Sequence, residues 1–114
     1  MQILKQDKYQ SCIEACYACA ESCDACANAC LNEKDVKMLA RCIKLNIDCA
    51  EVCRTAASYM SRDSEYAKNM CRTCADVCDA CGAECDKHKH MEHCRVCAES
   101  CRTCADECRK MMSA

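Results

Sequence analysis

Thiols dominate the reactive side chains of this sequence, and their spacing repeats. Cys12, Cys16, Cys19, Cys23, Cys26 and Cys30 advance by 4, 3, 4, 3 and 4 residues. Cys42, Cys49 and Cys53 advance by 7 and 4, and Cys71, Cys74, Cys78, Cys81 and Cys85 by 3, 4, 3 and 4. Cys94, Cys97, Cys101, Cys104 and Cys108 repeat that last pattern. Eight Cys-x-x-x-Cys and six Cys-x-x-Cys pairs therefore interlock along the chain. Residues three and four apart are neighbours on a helix, so a single segment brings two sulfurs within reach of one ion. Soft thiolates select Cu(I), Zn(II) or iron–sulfur clusters.

Charge ranks these ions. If each Cu(I) takes two thiolates and each thiolate bridges two ions, every Cu⁺ replaces one proton and the loaded lining stays neutral. A four-thiolate zinc site keeps about two negative charges. Several such sites in one narrow core carry a large desolvation and repulsion cost. Many Cu(I) ions per chain are the expected cargo, in a non-enzyme. A metallothionein-like zinc or cadmium buffer is the alternative. An iron–sulfur redox protein is a further one, but it calls for a few isolated cysteine clusters and not a continuous lining. Cys12, Cys16 and Cys19 also match the cluster motif of radical SAM enzymes, yet they are one slice of a long repeat in a chain too short for the accompanying barrel. Cys-x-x-Cys redox sites belong in a βαβ setting, and no such pattern surrounds these pairs. A purely structural thiol core would stabilise a fold poorly, because burying a thiol removes fewer carbons from water than burying Leu.

Alternating steps of 3 and 4 form the a/d seam of a heptad and put every thiol on one face of a helix. Between them stand mostly Ala, Glu, Asp, Arg and Lys, which are helix formers and solvent-face residues. Breaks at 32–35, 61–64 and 86–90 divide a single domain, residues 1–114, into helices over 4–31, 36–60, 64–87 and 91–112. Ser61 to Ser64 supplies N-cap residues for the third helix. Short connections make sequential helices antiparallel neighbours, which predicts an all-α, up-down-up-down four-helix bundle. Its core becomes a tube of sulfur, the first stripe alone running about 27 Å. Helix 2 is thinner in cysteine. Its other seam positions are Met38, Leu45 or Asn46, Ala56 and Met60, and a second apolar stripe runs through Val36, Leu39, Ile43, Ile47, Ala50 and Ala57. That stripe either packs on an adjacent helix or forms a subunit interface.

Composition agrees with helix. Pro is absent and Gly82 is the one glycine, so the turns of a sheet protein are missing. Leu, Ile and Val number four each, with no Phe or Trp. So few large apolar residues ordinarily mean disorder. Here 19 Cys and 17 Ala fill the deficit, which predicts a loosely packed apo core that bound metal stabilises. A net charge of −2 with interspersed signs offers no nucleic-acid patch and no membrane surface. The opening residues MQILKQDKYQS carry no apolar export segment, and no window reaches transmembrane length. The expected location is cytoplasmic, where thiols stay reduced; an odd cysteine count also argues against complete intramolecular pairing.

Weaker ligands gather at the ends. Threading the bundle places Met38, His88, His90, Met91 and His93 with Cys30 and Cys85 at one end. Met60, Met70, Met111 and Met112 join Cys12 at the other. His90 continues the helix 4 seam four residues before Cys94, His88 follows Cys85 by three, and His93 lies nearer the edge. Imidazole and thioether groups suit an entry port; a solvated loop histidine and a hydrophobic methionine plug are the plainer readings. Asn46 is either a buried register-setting amide or an oxygen donor to copper.

With the four stripes in view, the chain from Tyr9 to Met112 resembles the cysteine-rich four-helix-bundle copper storage proteins of bacteria. The resemblance implies Cu(I) held mainly by cysteine pairs inside the bundle and assembly of bundles into a homotetramer. Lacking an export signal, the sequence looks like the cytosolic branch. There a His and an Asn inside the bundle also contact copper, which makes His90 and Asn46 the matching positions. A copper chaperone or a low-molecular-weight thiol would be the exchange partner.

Overall fold

The computed structural model describes residues 7–113. Four α-helices follow one another: α1 Gln10–Leu31, α2 Ala40–Ser61, α3 Ala67–Asp86 and α4 Glu92–Ser113. Short 3₁₀ helices, Asp7–Tyr9 and Val36–Leu39, lead into α1 and α2. The expected start of helix 1 at residue 4 lies outside the described residues. No side-chain cap opens α1, α2 or α3. The tighter 3₁₀ turns instead absorb the free N–H groups before α1 and α2. Ser64 lies two residues before the N-cap position of α3, Tyr66: Tyr66 N–H donates to its Oγ at 3.1 Å and Ala67 N–H to its carbonyl at 3.0 Å. The α2 end is a Schellman turn, with Asp63 N–H donating to Met60 O (3.1 Å) and Ser64 N–H to Tyr59 O (3.0 Å). It holds Asp63 at a left-handed φ of 50°.

Sequential helices pack side by side, and α4 returns against α1, closing the ring of an up-down-up-down bundle. All nineteen cysteines point inward as free thiols, none more than 1% exposed. Buried alanines fill the gaps between them: Ala20 on α1, Ala50, Ala56 and Ala57 on α2, Ala75 on α3, Ala98 and Ala105 on α4. Small residues at the seams let the backbones close in until sulfurs of different helices touch. Gly82 takes this furthest, since a Cβ there would stand 3.3 Å from Cys101 Cβ. Cross-helix ion pairs fasten the outside: Arg54 with Asp24 between α2 and α1, and Arg102 with Asp86 and Arg109 with Asp79 between α4 and α3. All are exposed, so each contributes about 0–1 kcal/mol and serves register more than stability.

Helix 2 departs from the expected seam at its start. Leu39 is buried and Met38 is exposed. Residues 36–39 are 3₁₀, with 3.0 residues per turn and not 3.6, so the inward position slips by one. Farther along, Asn46, Ala56 and Met60 face inward as the heptad requires. The second stripe divides: Leu39, Ala50 and Ala57 pack within the bundle, whereas Ile47 is 55% exposed. Among the described residues, no helix is long and apolar enough to cross a membrane.

Candidate metal centre

Because four heptad seams face one another, sulfurs from all four helices meet. Cys19 Sγ on α1 lies 3.8 Å from Cys49 on α2 and 3.8 Å from Cys101 on α4. Cys53 on α2 lies 3.7 Å from both Cys74 and Cys78 on α3, and 3.8 Å from Cys104 on α4. Cys16 approaches Cys104 at 3.6 Å and Cys23 approaches Cys97 at 3.7 Å. These contacts sort into four-ligand groups whose donor atoms all lie within 4.8 Å of one another. Cys16, Cys74, Cys104 and Cys108 form one, Cys19, Cys53, Cys78 and Cys104 the next. Then come Cys19, Cys23, Cys49 and Cys101, followed by Cys23, Cys81, Cys97 and Cys101. Successive groups share corners: Cys104, Cys19, then Cys23 with Cys101. Filling neighbouring groups therefore forces thiolates to bridge. Among the described residues no Lys or Arg is buried beside them, so the positive charge that balances thiolates must arrive with the ions.

Asn46 fills the seam position between Cys42 and Cys49. It is fully buried, and its Oδ1 accepts thiol protons from Cys81 (3.2 Å), Cys97 (3.3 Å) and Cys85 (3.7 Å). Its Nδ2 donates to Cys42 Sγ at 3.8 Å. One amide thus ties the α2 wall to α3 and α4 where α2 lacks a thiol.

The histidine among the sulfurs is His93. Its Nδ1 lies 3.5 Å from Cys26 Sγ, 3.6 Å from Cys94 Sγ and 3.9 Å from Cys30 Sγ. Its Nε2–H donates to Glu33 Oε2 at 3.0 Å. That bond selects the tautomer that turns the Nδ1 lone pair toward the thiols, the carboxylate–histidine arrangement of many metal sites. Burial opposes a charge on His93, but the Cys26 and Glu33 hydrogen bonds outweigh it and raise the imidazole's pKa. Cys26 is lowered to about 6, first by hydrogen bonding from Cys42 and Cys85, with His93 adding to it. Cys30 is pushed up to about 12, first by burial and then by negative charge at Cys26 and Cys42.

His90 sits elsewhere. It is exposed in the α3–α4 connection, in a surface groove with Met38 and Met91. The four-residue step back from Cys94 carries a side chain onto the seam only within a helix, and α4 begins at Glu92. His88 is buried, with Nε2–H donating to Glu84 Oε2 at 3.2 Å. Glu33 had no signal in the heptad. Its one sequence cue is an acid in the turn that closes the sulfur end of helix 1. Beside His93, a groove between α1 and α4 lined by Glu21, Ser22, Glu92 and Val96 reaches Cys26.

The family model for copper storage proteins matches residues 5–113, nearly the whole chain. The chain belongs to the copper storage protein family. A cytosolic copper storage protein from Streptomyces lividans, studied with five coppers, is 44% identical with a TM-score of 0.91, over 95% of this chain and 94% of that one. The Cu(I)-bound copper storage protein BsCsp3 is 44% identical with a TM-score of 0.87, covering 91% and 97%. The apo form of copper storage protein 3 from Bacillus subtilis is 44% identical at a TM-score of 0.86, covering 91% and 98%. Comparison with the curated proteins gives no match. With these members of the copper storage family, then, the chain shares the fold described above.

Proposed function

We propose that this chain stores Cu(I) in the cytosol, taking up about one ion per thiolate inside the bundle. One observation carries the reading: the four-sulfur groups share corners along the tube. Shared thiolates suit a monovalent ion that replaces one proton per sulfur, whereas isolated zinc sites would leave charge stranded in a core without cations. The nineteen cysteines are the ligands, with His93 joining Cys26, Cys30 and Cys94 at one end, and Asn46 orienting thiols or lending its oxygen along the α2 wall. The role is that of a store and not a catalyst. Location follows the Streptomyces lividans relative, which is described as cytosolic. Copper enters and leaves at the His93 end, where the imidazole is partly exposed and the α1–α4 groove reaches Cys26. A copper chaperone or a small thiol exchanges it there. The bundle assembles as a homotetramer, for which exposed Ile47 and half-buried Val36 on helix 2 offer a surface.

Anaerobic titration with Cu(I) against a chromophoric chelator tests the reading. Uptake approaching the number of thiols is expected, with no visible colour. Saturation after a few equivalents would sink bulk storage, and a preference for zinc in competition would replace it with a zinc buffer. Replacing Cys19 and Cys23 with Ser is expected to remove a small number of ions and leave the rest.

A further inference from the structure

The end of the tube opposite His93 carries a sulfur that is not a thiol. Met60 stands at the last seam position of α2, four residues after Ala56 and seven after Cys53, and it is fully buried. Its Sδ accepts the thiol proton of Cys71 at 3.5 Å. The seam residues nearest this end on the other two helices are Cys12, the first thiol of α1, and Cys108, the last of α4, whose own sulfurs are 3.6 Å apart. This layer therefore draws one sulfur from each helix: Cys12 from α1, Met60 from α2, Cys71 from α3 and Cys108 from α4.

We propose that Met60 is a copper ligand, its thioether completing a Cu(I) site with the Cys71 thiolate beside the Cys12–Cys108 pair. The proposal rests on the Cu(I) reading above. When Cys71 binds a metal it gives its proton to the solvent, and the Cys71–Met60 hydrogen bond is lost. Two sulfur lone pairs then face each other across 3.5 Å. A soft cation between them turns that repulsion into two bonds. The step is a ligand exchange: one S–H bond breaks, Cu–S bonds form to the Cys71 thiolate and the Met60 thioether, and copper remains Cu(I). A neutral donor also fits the charge balance. A thiolate in place of Met60 would add a negative charge, and a thioether supplies the bond without it. A hydrophobic plug would need only bulk at this position, without a sulfur placed on a thiol.

Crystals of the full chain, loaded anaerobically with Cu(I), test this by anomalous scattering at the copper edge. The expected result is a copper peak bonded to Met60 Sδ and Cys71 Sγ. Met60→Leu keeps the volume, and it is expected to lose that one ion while the other layers fill as before. Loaded crystals with copper elsewhere in the tube but none on Met60 would overturn the assignment and leave the storage reading standing. So would a Leu variant that keeps the same peak. A chain that takes up no Cu(I) at all would overturn both. If the Leu variant fails to fold, the peak in the unaltered protein decides alone.

Discussion

At the scale of single residues, the hydrogen bond from His93 to Glu33 is the feature that ties a loop acid to the candidate metal centre. Its effect is orientation: with Nε2–H committed to the carboxylate, Nδ1 faces Cys26, Cys30 and Cys94. Glu33→Gln is expected to weaken copper binding at that end about 10–100-fold while the rest of the tube fills normally. His93→Ala should remove the same site, and His90→Ala should leave it intact; stepwise chelator competition separates the three. Thiols supply a second prediction, for the metal-free protein. Cys30 holds its proton up to about 12 when folded, against 9.0 ordinarily. Between those values the unfolded chain has lost a proton that the folded chain keeps. The stability contributed by Cys30 is thus complete below pH 9 and is lost as pH rises through about 12. Urea unfolding of the apo protein at about pH 8 and about pH 11 should show that fall, and Cys30→Ala should make it smaller while the other buried thiols with raised pKa keep the rest.

The elements show how much of the bundle is local. Heptad steps wrote three helices plainly, because a period of 3 and 4 survives any choice of neighbours. Boundaries moved where turns intervened. Val36–Leu39 wound as 3₁₀ and exchanged Met38 for Leu39 in the core. The α2 end closed in a Schellman turn around Asp63, which no glycine announced. Left-handed backbone suits Gly best and is costly for β-branched side chains. Asp63→Val is therefore expected to lower apo stability by about 1–2 kcal/mol, read from the denaturation midpoint. The lost Lys8–Asp63 surface pair, 3.2 Å long, adds little to that.

For the whole molecule, the core is unusual in what it lacks. Its largest fully buried side chains are Leu39, Met60 and Asn46, and cysteines come next. Burying a thiol removes less apolar surface than burying Leu, so the hydrophobic term is small. Yet the seams, the buried alanines and the cross-helix ion pairs already specify the bundle. The apo protein is expected to be helical by circular dichroism, with a modest melting temperature; a random-coil spectrum would contradict this. Copper should then stabilise it strongly. Ions that bind only the folded state contribute about 2.7 kcal/mol for each independent site at a free concentration a hundredfold above Kd. A thermal midpoint that does not climb with each equivalent of Cu(I) would show that binding is not coupled to the bundle.

The sequence alone determined the helices, the face on which every thiol lies and the soft character of the metal ions that such thiols select. Those follow from spacing and side-chain type, which are local and additive. It also brought Asn46 and Met60 onto the inner seam of helix 2. Tertiary structure decided which imidazole enters the tube. It also paired Glu33 with a histidine 60 residues away and set Met60 against Cys71. Each of these depends on where one helix starts or how two unconnected segments meet, and a one-dimensional repeat carries no record of either. Heptads say which side of a helix faces in; only the packed bundle says what it faces.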